Sequence, residues 1–338
     1  PDMSSPFVWH GGALEAAKRA FGGDAPWMDL STGINPDPWA GAAPDSFDWA
    51  RLPEMSALKE LERVAAAYFG VAPVHVCAVP GTEIGMRLVG RMLGGPAHHV
   101  EPGYRTHAEM IAGSIPIAAH DASGTSTTLI LANPNNPDGR TIAPAEMDGL
   151  LRKRSDTCWL LIDEAFADVD PRISLASDVR DAARLVIFRS FGKFFGLAGV
   201  RLGFVLGPRI IIDPLRSLLG AWPLSAAALA IGTAAYQDHA WIARTRLGLF
   251  DAAATLDALL TDHGYSPIGA CPLFRLIEVD DAHALFDQLA RQAILTRPFA
   301  EKAFLKFIMG NLVLTVVLLF SKKDPLSGHF VIRHTPLK

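Results

Sequence analysis

Five short apolar runs between residues 74 and 206 constrain the fold of this chain more than any other feature of its sequence. They span residues 74–79, 128–132, 159–162, 185–188 and 201–206, and polar or helical stretches separate them. Nearly every residue in a run is apolar, whereas a strand with one face in water alternates apolar and polar residues. The pattern therefore predicts an α/β fold, with a largely parallel sheet covered by helices on both faces.

Helical patterns and changes in composition predict how the chain divides into domains. The spacing of apolar residues predicts helices at about residues 13–21 and 55–68, and an Ala- and Leu-rich helical region at about residues 208–260. We predict an N-terminal arm, residues 1–36, that contributes to a small domain. A large domain, residues 37–240, and a small C-terminal α+β domain, residues 241–338, follow. The sequence after about residue 300 is atypical.

Composition argues against several classes of partner. The net charge is −4 and no long block of one sign occurs, so we expect no nucleic-acid partner. The three cysteines are far apart and form no CxxC pair, which indicates no disulfide framework, no metal cluster and a cytoplasmic location. The most apolar run, residues 312–320, is too short to cross a membrane. We interpret His98 and His99 as part of a solvated loop rather than as metal ligands.

Polar residues follow several of the apolar runs, and ligands of open α/β sheets bind where strands end at their carboxyl edge. Gly81 and Thr82 follow the first run and begin a helical stretch, where backbone N–H groups and a hydroxyl suit a phosphate. The alternative is an ordinary helix cap. Asn136 lies in the Pro-rich loop after the second run, which taken alone is more typical of a plain turn.

The next two runs lead to a carboxylate and to an amine. Asp163 directly follows the third run, and a buried carboxylate needs a cationic partner or must be protonated. Lys193 follows the fourth run and is flanked by Phe191, Phe194 and Phe195. Apolar surroundings disfavour a charged amine, which favours Schiff-base chemistry. The alternative is a Lys193 side chain that extends to solvent.

Several motifs occur together in a fixed order: Asn136-Pro137-x-Gly139, Asp163-x-Ala165-Phe166, Ser190-x-x-Lys193 and Arg201. Over about residues 10–299, the chain resembles the fold-type I pyridoxal 5′-phosphate (PLP) enzymes of the class I/II aminotransferase group. The resemblance implies a large domain with a mostly parallel sheet between helices, and a smaller α+β domain. It also implies PLP as the cofactor.

The resemblance implies a role for each residue of the site. The expected cofactor-binding residues are Gly81, Thr82, Glu83, Tyr104, Asn136, Asp163, Ser190, Lys193 and Arg201. Three of them are the expected catalytic residues: Lys193 forms the Schiff base and moves the α-proton, Asp163 pairs with the pyridine nitrogen, and Tyr104 stacks on the ring. His107 is expected to support Asp163. The alternatives are Tyr104 as core packing and His107 as a solvated loop residue.

Further segments are similar to one branch of that group, the threonine-phosphate decarboxylases of cobalamin biosynthesis, which are close relatives of histidinol-phosphate aminotransferases. They are His10-Gly11-Gly12 and residues 30–36, 188–204 and 294–299. The branch implies a homodimer that decarboxylates the small-molecule substrate L-threonine O-3-phosphate to (R)-1-aminopropan-2-yl phosphate. Such a substrate has two anionic ends and needs two sets of donors. The expected substrate-binding residues are His10, Gly33, Asn35, Arg297 and Lys306.

Departures from the family pattern leave alternatives open. Phe166 stands where many relatives have Tyr, and Arg51 lies where many aminotransferases supply a Tyr to the neighbouring subunit. Lys306 is the nearest cation to the family's carboxylate-binding arginine, and a lysine cannot reproduce the bidentate fork. An aminotransferase of the histidinol-phosphate type and a PLP-binding protein without catalysis are the alternatives to the decarboxylase. Sequence does not decide among them, because the reaction depends on which α-carbon bond lies perpendicular to the cofactor ring.

Overall fold

The computed structural model describes residues 7, 11–23, 25–41, 47–124, 126–155 and 157–299, and the backbone of Phe304–Ile308. In chain order, the α-helices are α1 (Leu14–Phe21), α2 (Met55–Phe69), α3 (Thr82–Leu93), α4 (Arg105–Met110), α5 (Pro144–Arg152), α6 (Phe191–Phe194), α7 (Arg209–Leu219), α8 (Ala226–Gln237), α9 (His239–Asp262) and α10 (Ala282–Ala290). The strands are β1 (Met28–Asp29), β2 (Val76–Val79), β3 (Ala97–Glu101), β4 (Ile115–Ala118), β5 (Thr128–Ala132), β6 (Leu160–Asp163), β7 (Leu185–Ser190), β8 (Gly203–Leu206), β9 (Pro267–Ile268), β10 (Phe274–Glu278), β11 (Ile294–Leu295), β12 (Arg297–Phe299) and β13 (Phe304–Ile308).

The chain divides into two compact units. The large unit is Pro38–Arg246, and the small unit combines the described residues up to Asp37 with those from Leu247 onward. The two boundaries predicted from the sequence follow residues 36 and 240. Helix α9 contains the second boundary of the structure, so the chain passes between the units without leaving a helix.

A mixed sheet of seven strands forms the centre of the large unit, in the order β2-β8-β7-β6-β5-β3-β4. Strands β3 to β7 run parallel to one another, and β8 is antiparallel to both of its neighbours, β7 and β2. Every residue of β2, β5, β6 and β8 is buried, because helices cover the sheet. Helix α3 packs on β7 and β8, and α2 and α7 pack on β2. The predicted α/β fold with a mostly parallel sheet is confirmed.

Two strands of this sheet, β3 and β4, are absent from the sequence prediction, and the interpretation of His98 and His99 as a solvated loop is wrong. Both histidines lie in β3, and the His99 side chain is buried. Strand β3 can contain both histidines because a hydroxyl group hydrogen-bonds to a ring nitrogen of each. His98 Nδ1 is 2.6 Å from Thr127 Oγ1, and His99 Nδ1 is 2.9 Å from Ser114 Oγ.

Two predicted strands begin later than their apolar runs. Residues 73–75 form a 3₁₀ turn that opens with a proline, so β2 begins at Val76 rather than at Val74. Arg201 has a left-handed backbone with φ 57°, which a strand cannot contain, so β8 begins at Gly203.

The small unit contains an antiparallel sheet in the order β12-β13-β10-β9 and a parallel pair, β1 with β11. Its core joins residues of α1, α10 and the second half of α9 to β1, β10 and β11. The buried members are Ala17, Leu30, Ala253, Leu256, Leu260, Ile277, Phe286, Leu289, Ala290, Ile294 and Leu295. Within the described residues, no helix has both the length and the apolar character needed to span a membrane. The apolar run at residues 312–320 lies outside the described part of the chain.

Candidate active site

A cavity of about 150 Å³ lies at the carboxyl ends of strands of the large sheet. It is lined by all of the residues that the sequence predicts to bind the cofactor: Gly81, Thr82, Glu83, Tyr104, Asn136, Asp163, Ser190, Lys193 and Arg201. All of them except Arg201 follow or end one of five strands, β2, β3, β5, β6 and β7, which run in the same direction and so end at one edge of the sheet. Arg201 lies just before the antiparallel strand β8, at the same edge. Gly192, Ala198 and Leu202 also line the cavity and are not predicted from the sequence. Small and apolar residues of this kind carry no chemical signal in a sequence.

One end of the cavity has the chemistry of a phosphate site. Thr82 is the first residue of the twelve-residue helix α3, whose unpaired backbone N–H groups favour an anion. Ser190 ends β7 and supplies a hydroxyl. The exposed Arg201 side chain supplies a guanidinium, and its Nη1 donates to the Ala198 carbonyl at 3.3 Å.

Gly81 provides room for that guanidinium. Its φ is +90°, a conformation that other residues rarely adopt, and a Cβ atom placed there would lie 2.7 Å from Arg201 Nη2. A Cβ atom at this position would therefore push the end of the Arg201 side chain away from the start of α3.

We expect Gly81→Ala to weaken cofactor binding about ten- to a hundredfold, because displacing Arg201 removes a charge-assisted hydrogen bond worth about 1.5–3 kcal/mol. Gly113→Ala is the matched control, since Gly113 also has positive φ, +76°, but open space around its Cβ position. Both variants should lose stability through backbone strain of about 1–3 kcal/mol. Equilibrium titration with PLP measures the difference, and equal affinity in the two variants would contradict this role of Gly81.

Asp163 has the buried partner that the sequence requires. Its Oδ2 lies 3.2 Å from His107 Nε2, and its Oδ1 accepts a hydrogen bond from the Ala165 backbone N–H at 3.0 Å. Both side chains are more than nine-tenths buried, so His107 is not the solvated loop residue of the alternative interpretation. These contacts fix the orientation of a carboxylate that lines the cavity.

The Lys193 amine lies in the same cavity as this carboxylate. Lys193 is in the short helix α6, is partly buried, and has its Nζ 5.6 Å from the centre of the Phe166 ring. Phe166 lies at the position where the family often has Tyr, and it presents no hydroxyl. Asn136 also lines the cavity and places an amide within the same space.

A hydrogen-bond network holds the ring of Tyr104 at the cavity. The Tyr104 hydroxyl donates to Glu83 Oε2 at 3.0 Å, and Thr106 Oγ1 donates to the same atom at 2.6 Å. Burial and the Glu83 charge raise the pKa of Tyr104 to about 12, so the phenol is protonated at neutral pH. Partial burial opposes ionisation of Glu83, but hydrogen bonds from Thr106, Arg87 and Tyr104 keep its pKa below the ordinary value. The protonated Tyr104 hydroxyl thus donates its hydrogen bond to an ionised Glu83 carboxylate at neutral pH.

The predicted substrate residues belong to the small unit, where the structure brings most of them to neighbouring strands. Gly33 and Asn35 are buried in the segment after β1, and Arg297 begins β12, two residues after β11. Because β1 and β11 are paired and parallel, these two segments leave the same edge. Lys306 lies opposite Arg297 in the β12–β13 pair, although only its backbone is described.

The Gly11-Gly12 segment joins this group. The Gly12 N–H donates to Ser31 Oγ at 2.7 Å, and Ser31 Oγ donates in turn to Asp29 Oδ1 at 2.6 Å. His10 lies outside the described residues. No group of three or more His, Cys, Asp or Glu side chains in the described part of the chain could hold a metal ion.

Comparison with known proteins relates this arrangement to a family. The family model for aminotransferase class I and II matches residues 25–312. The chain is 40% identical to a threonine-phosphate decarboxylase of Sinorhizobium sp over 88% of this chain and 91% of that protein. It is 38% identical to a threonine-phosphate decarboxylase of Pseudomonas aeruginosa over the same shares of the two chains.

A solved structure has the same fold. The histidinol-phosphate aminotransferase of Sinorhizobium meliloti, in complex with pyridoxal 5′-phosphate, superposes with a TM-score of 0.78 at 19% identity, covering 94% of this chain and 95% of that one. The chain therefore belongs to the class I and II aminotransferase family, and the resemblance seen in the sequence motifs is confirmed.

Proposed function

We propose that this protein is a PLP-dependent decarboxylase that converts L-threonine O-3-phosphate to (R)-1-aminopropan-2-yl phosphate. The observation that carries the proposal is the single cavity that combines an amine, a buried carboxylate and a phosphate site. The similarity to two threonine-phosphate decarboxylases along most of both chains supports this substrate over those of other family members. The product is a building block of cobalamin biosynthesis in the branch that the sequence resembles.

The residues of the cavity fit PLP. The start of α3, Ser190 and Arg201 match a phosphate ester, and the space beside Gly81 keeps the guanidinium close. Asp163 is a buried carboxylate in a fixed orientation, which suits a protonated pyridine nitrogen. When bound, PLP supplies an aldehyde that reacts with an amine and a ring that withdraws electrons from a bond to the α-carbon.

Lys193 and Asp163 have distinct roles in this reaction. Lys193 would hold the cofactor covalently through Nζ until the amino group of the substrate displaces it and frees the amine. Asp163 would hold a proton on the ring nitrogen, and Asp163 Oδ2 itself lies 3.2 Å from His107 Nε2. Carbon dioxide would leave the α-carbon without its bonding electrons, and the protonated amine of Lys193 would place a proton there. The amino group stays on the product, so no acceptor is needed.

The experiment that tests this function measures carbon dioxide release from L-threonine O-3-phosphate with and without 2-oxoglutarate. We expect release that does not depend on the keto acid, with one aminopropanol phosphate formed for each carbon dioxide. Histidinol phosphate with 2-oxoglutarate is the parallel reaction of the runner-up, a PLP aminotransferase. Turnover only in that second reaction would overturn the decarboxylase proposal. Cofactor binding without turnover of either substrate would indicate a protein that has lost catalysis.

We further propose that the active form is a cytoplasmic homodimer. Exposed apolar side chains just before α2, at its start and in the loop after α7 support this assembly, since exposed apolar surface is typical of protein interfaces. Met55 and Trp222 line a common surface pocket. Trp49 is 70% exposed, Leu52 65%, Met55 48% and Trp222 51%. Arg51, at the position where many aminotransferases supply a residue to the neighbouring subunit, lies between Trp49 and Leu52 in the chain, with its side chain 85% exposed.

We expect Leu52→Glu to shift the protein from dimer to monomer, because a charge placed in an apolar interface is left without a partner. Leu247→Glu is the matched control, since Leu247 is 70% exposed, close to the 65% of Leu52, but lies in the small unit. Analytical ultracentrifugation of both variants and the parent checks the result. A parent protein that is monomeric and fully active would contradict the proposed assembly.

A further inference from the structure

A buried ion network joins the ends of β6 and β7 in the large unit; it consists of Glu164, Asp168, Ser174 and Arg189. Arg189 Nη1 donates to Glu164 Oε2 at 2.7 Å and to Ser174 Oγ at 3.1 Å, and its Nη2 donates to Asp168. The two carboxylates are fully buried and the Arg189 side chain is 3% exposed. The network is not predictable from the sequence, because Arg189 is distant in the chain from the carboxylates it binds.

Such a network is costly to bury, so its presence needs a physical reason. Buried ion pairs are often no more stabilising than apolar residues of the same size, although removing one partner alone is strongly destabilising. Burial opposes ionisation of Arg189, but the charges of Asp168 and Glu164 outweigh it and raise the pKa of the guanidinium above its usual range. Arg189 therefore stays charged. Burial raises the pKa of Glu164 above its ordinary value, and the Arg189 charge and the hydrogen bonds from Ser174 and the Leu175 N–H oppose that shift. A fixed geometry around the guanidinium is what the network provides and an apolar core does not.

The network lies next to the cavity residues along both strands. Glu164 directly follows Asp163 at the end of β6, and Arg189 directly precedes Ser190 in β7. Asp163 and Ser190 line the cavity, whereas Glu164 and Arg189 do not. Successive residues of a strand point to opposite faces, so an ion pair on one face sets the positions of the neighbours on the other.

Two members of the network also lie on either side of the turn that faces Lys193. Ala165 and Phe166 line the cavity, and Glu164 and Asp168, on either side of them, both bind Arg189. The ring of Phe166 is the one that lies 5.6 Å from Lys193 Nζ. A change in the network would therefore move the turn relative to the amine.

We propose that Arg189, through the buried ion network, is a positioning residue that fixes Asp163 relative to Lys193. Arg189 does not line the cavity in which substrate and cofactor would bind. The inference rests on the proposed chemistry at Lys193, and it assigns a reason for burying several charges beside that site. A displacement of about 1 Å in reacting groups can cost on the order of a hundredfold in rate, so small shifts of this turn are sufficient.

The test compares Glu164→Gln with Glu62→Gln in the PLP-loaded protein. Glu62 is a matched control, because it is also buried and accepts a hydrogen bond from an arginine, Arg216 Nη2 at 2.9 Å, but does not line the cavity. Both variants keep the size of the side chain and remove a charge. The measurements are the thermal midpoint, the affinity for PLP, the pH midpoint of the visible absorbance of Lys193-bound cofactor, and kcat and KM.

We expect both variants to lose thermal stability, but only Glu164→Gln to shift the pH midpoint and to lower kcat by roughly ten- to a hundredfold with little change in KM. Ser174→Ala removes one hydroxyl from the network and should show the same changes to a smaller extent. If Glu164→Gln does not fold, the pH midpoint and kcat of Ser174→Ala test the proposal instead. Folded Glu164→Gln or Ser174→Ala with the parent's pH midpoint and kcat would overturn the proposal.

The two proposals fail in different ways. If the parent protein binds PLP at Lys193 but releases no carbon dioxide, the proposed reaction is wrong, and the pH titration still tests the buried ion network. If the parent decarboxylates and the network variants match it in pH midpoint and kcat, the reaction stands and Arg189 has only a structural role.

Discussion

Replacing Lys193 with alanine should abolish turnover, with a loss of at least about a thousandfold in kcat. The variant lacks both the amine that binds the cofactor and the group that moves the proton, and proton transfer alone contributes about 10²–10⁴-fold. The fold should survive, because the side chain is only partly buried in the wall of a cavity. The assay is carbon dioxide release from L-threonine O-3-phosphate at saturating PLP.

The control for this substitution is Lys59→Ala, which removes an exposed lysine from α2. It should retain the activity and the visible absorbance of the parent protein. Activity of Lys193→Ala within tenfold of the parent would show that another group performs the chemistry.

Asp163→Asn should lower kcat by roughly two to three orders of magnitude. An amide of the same size can keep contacts in the cavity but carries no charge to hold a proton on the ring nitrogen. Removing one partner of a buried ion pair costs about 3–5 kcal/mol, and each 1.36 kcal/mol in a barrier is a factor of ten. Stopped-flow measurement of the first turnover separates this loss from a change in product release.

The control for Asp163→Asn is the same substitution at a solvent-exposed carboxylate. Asp121→Asn changes a side chain that is 63% exposed, and its kinetics should match those of the parent. A kcat for Asp163→Asn within threefold of the parent would contradict the assigned charge on Asp163.

The cofactor site could be predicted from the sequence because its residues lie at or near the ends of strands. Asp163 follows its apolar run directly, Ser190 and Lys193 lie two and five residues after theirs, and the ends of parallel strands lie at one edge of a sheet. The motif order then supplied the family, which gave roles to Asn136 and Tyr104 that no pattern of charge or hydrophobicity indicates.

The features that could not be predicted from the sequence depend on contacts between residues that are distant in the chain. Strand β3 has two histidines in a five-residue strand, and it forms because Thr127 and Ser114 satisfy their rings. The bonds between Tyr104 and Glu83 and between Arg189 and Glu164 join residues that are 21 and 25 positions apart. Such pairs carry no periodic signal, so only the folded chain reveals them.

Reduction of the PLP-loaded protein with borohydride, followed by mass spectrometry of its peptides, tests the central claim most directly. Reduction fixes the bond between the cofactor and its lysine, so the modified residue can be read from the fragment masses. We predict one cofactor per chain, attached to Lys193 and absent from the peptide that contains Lys59. Attachment to a different lysine, or no attachment in protein that is folded, would contradict the account of this site.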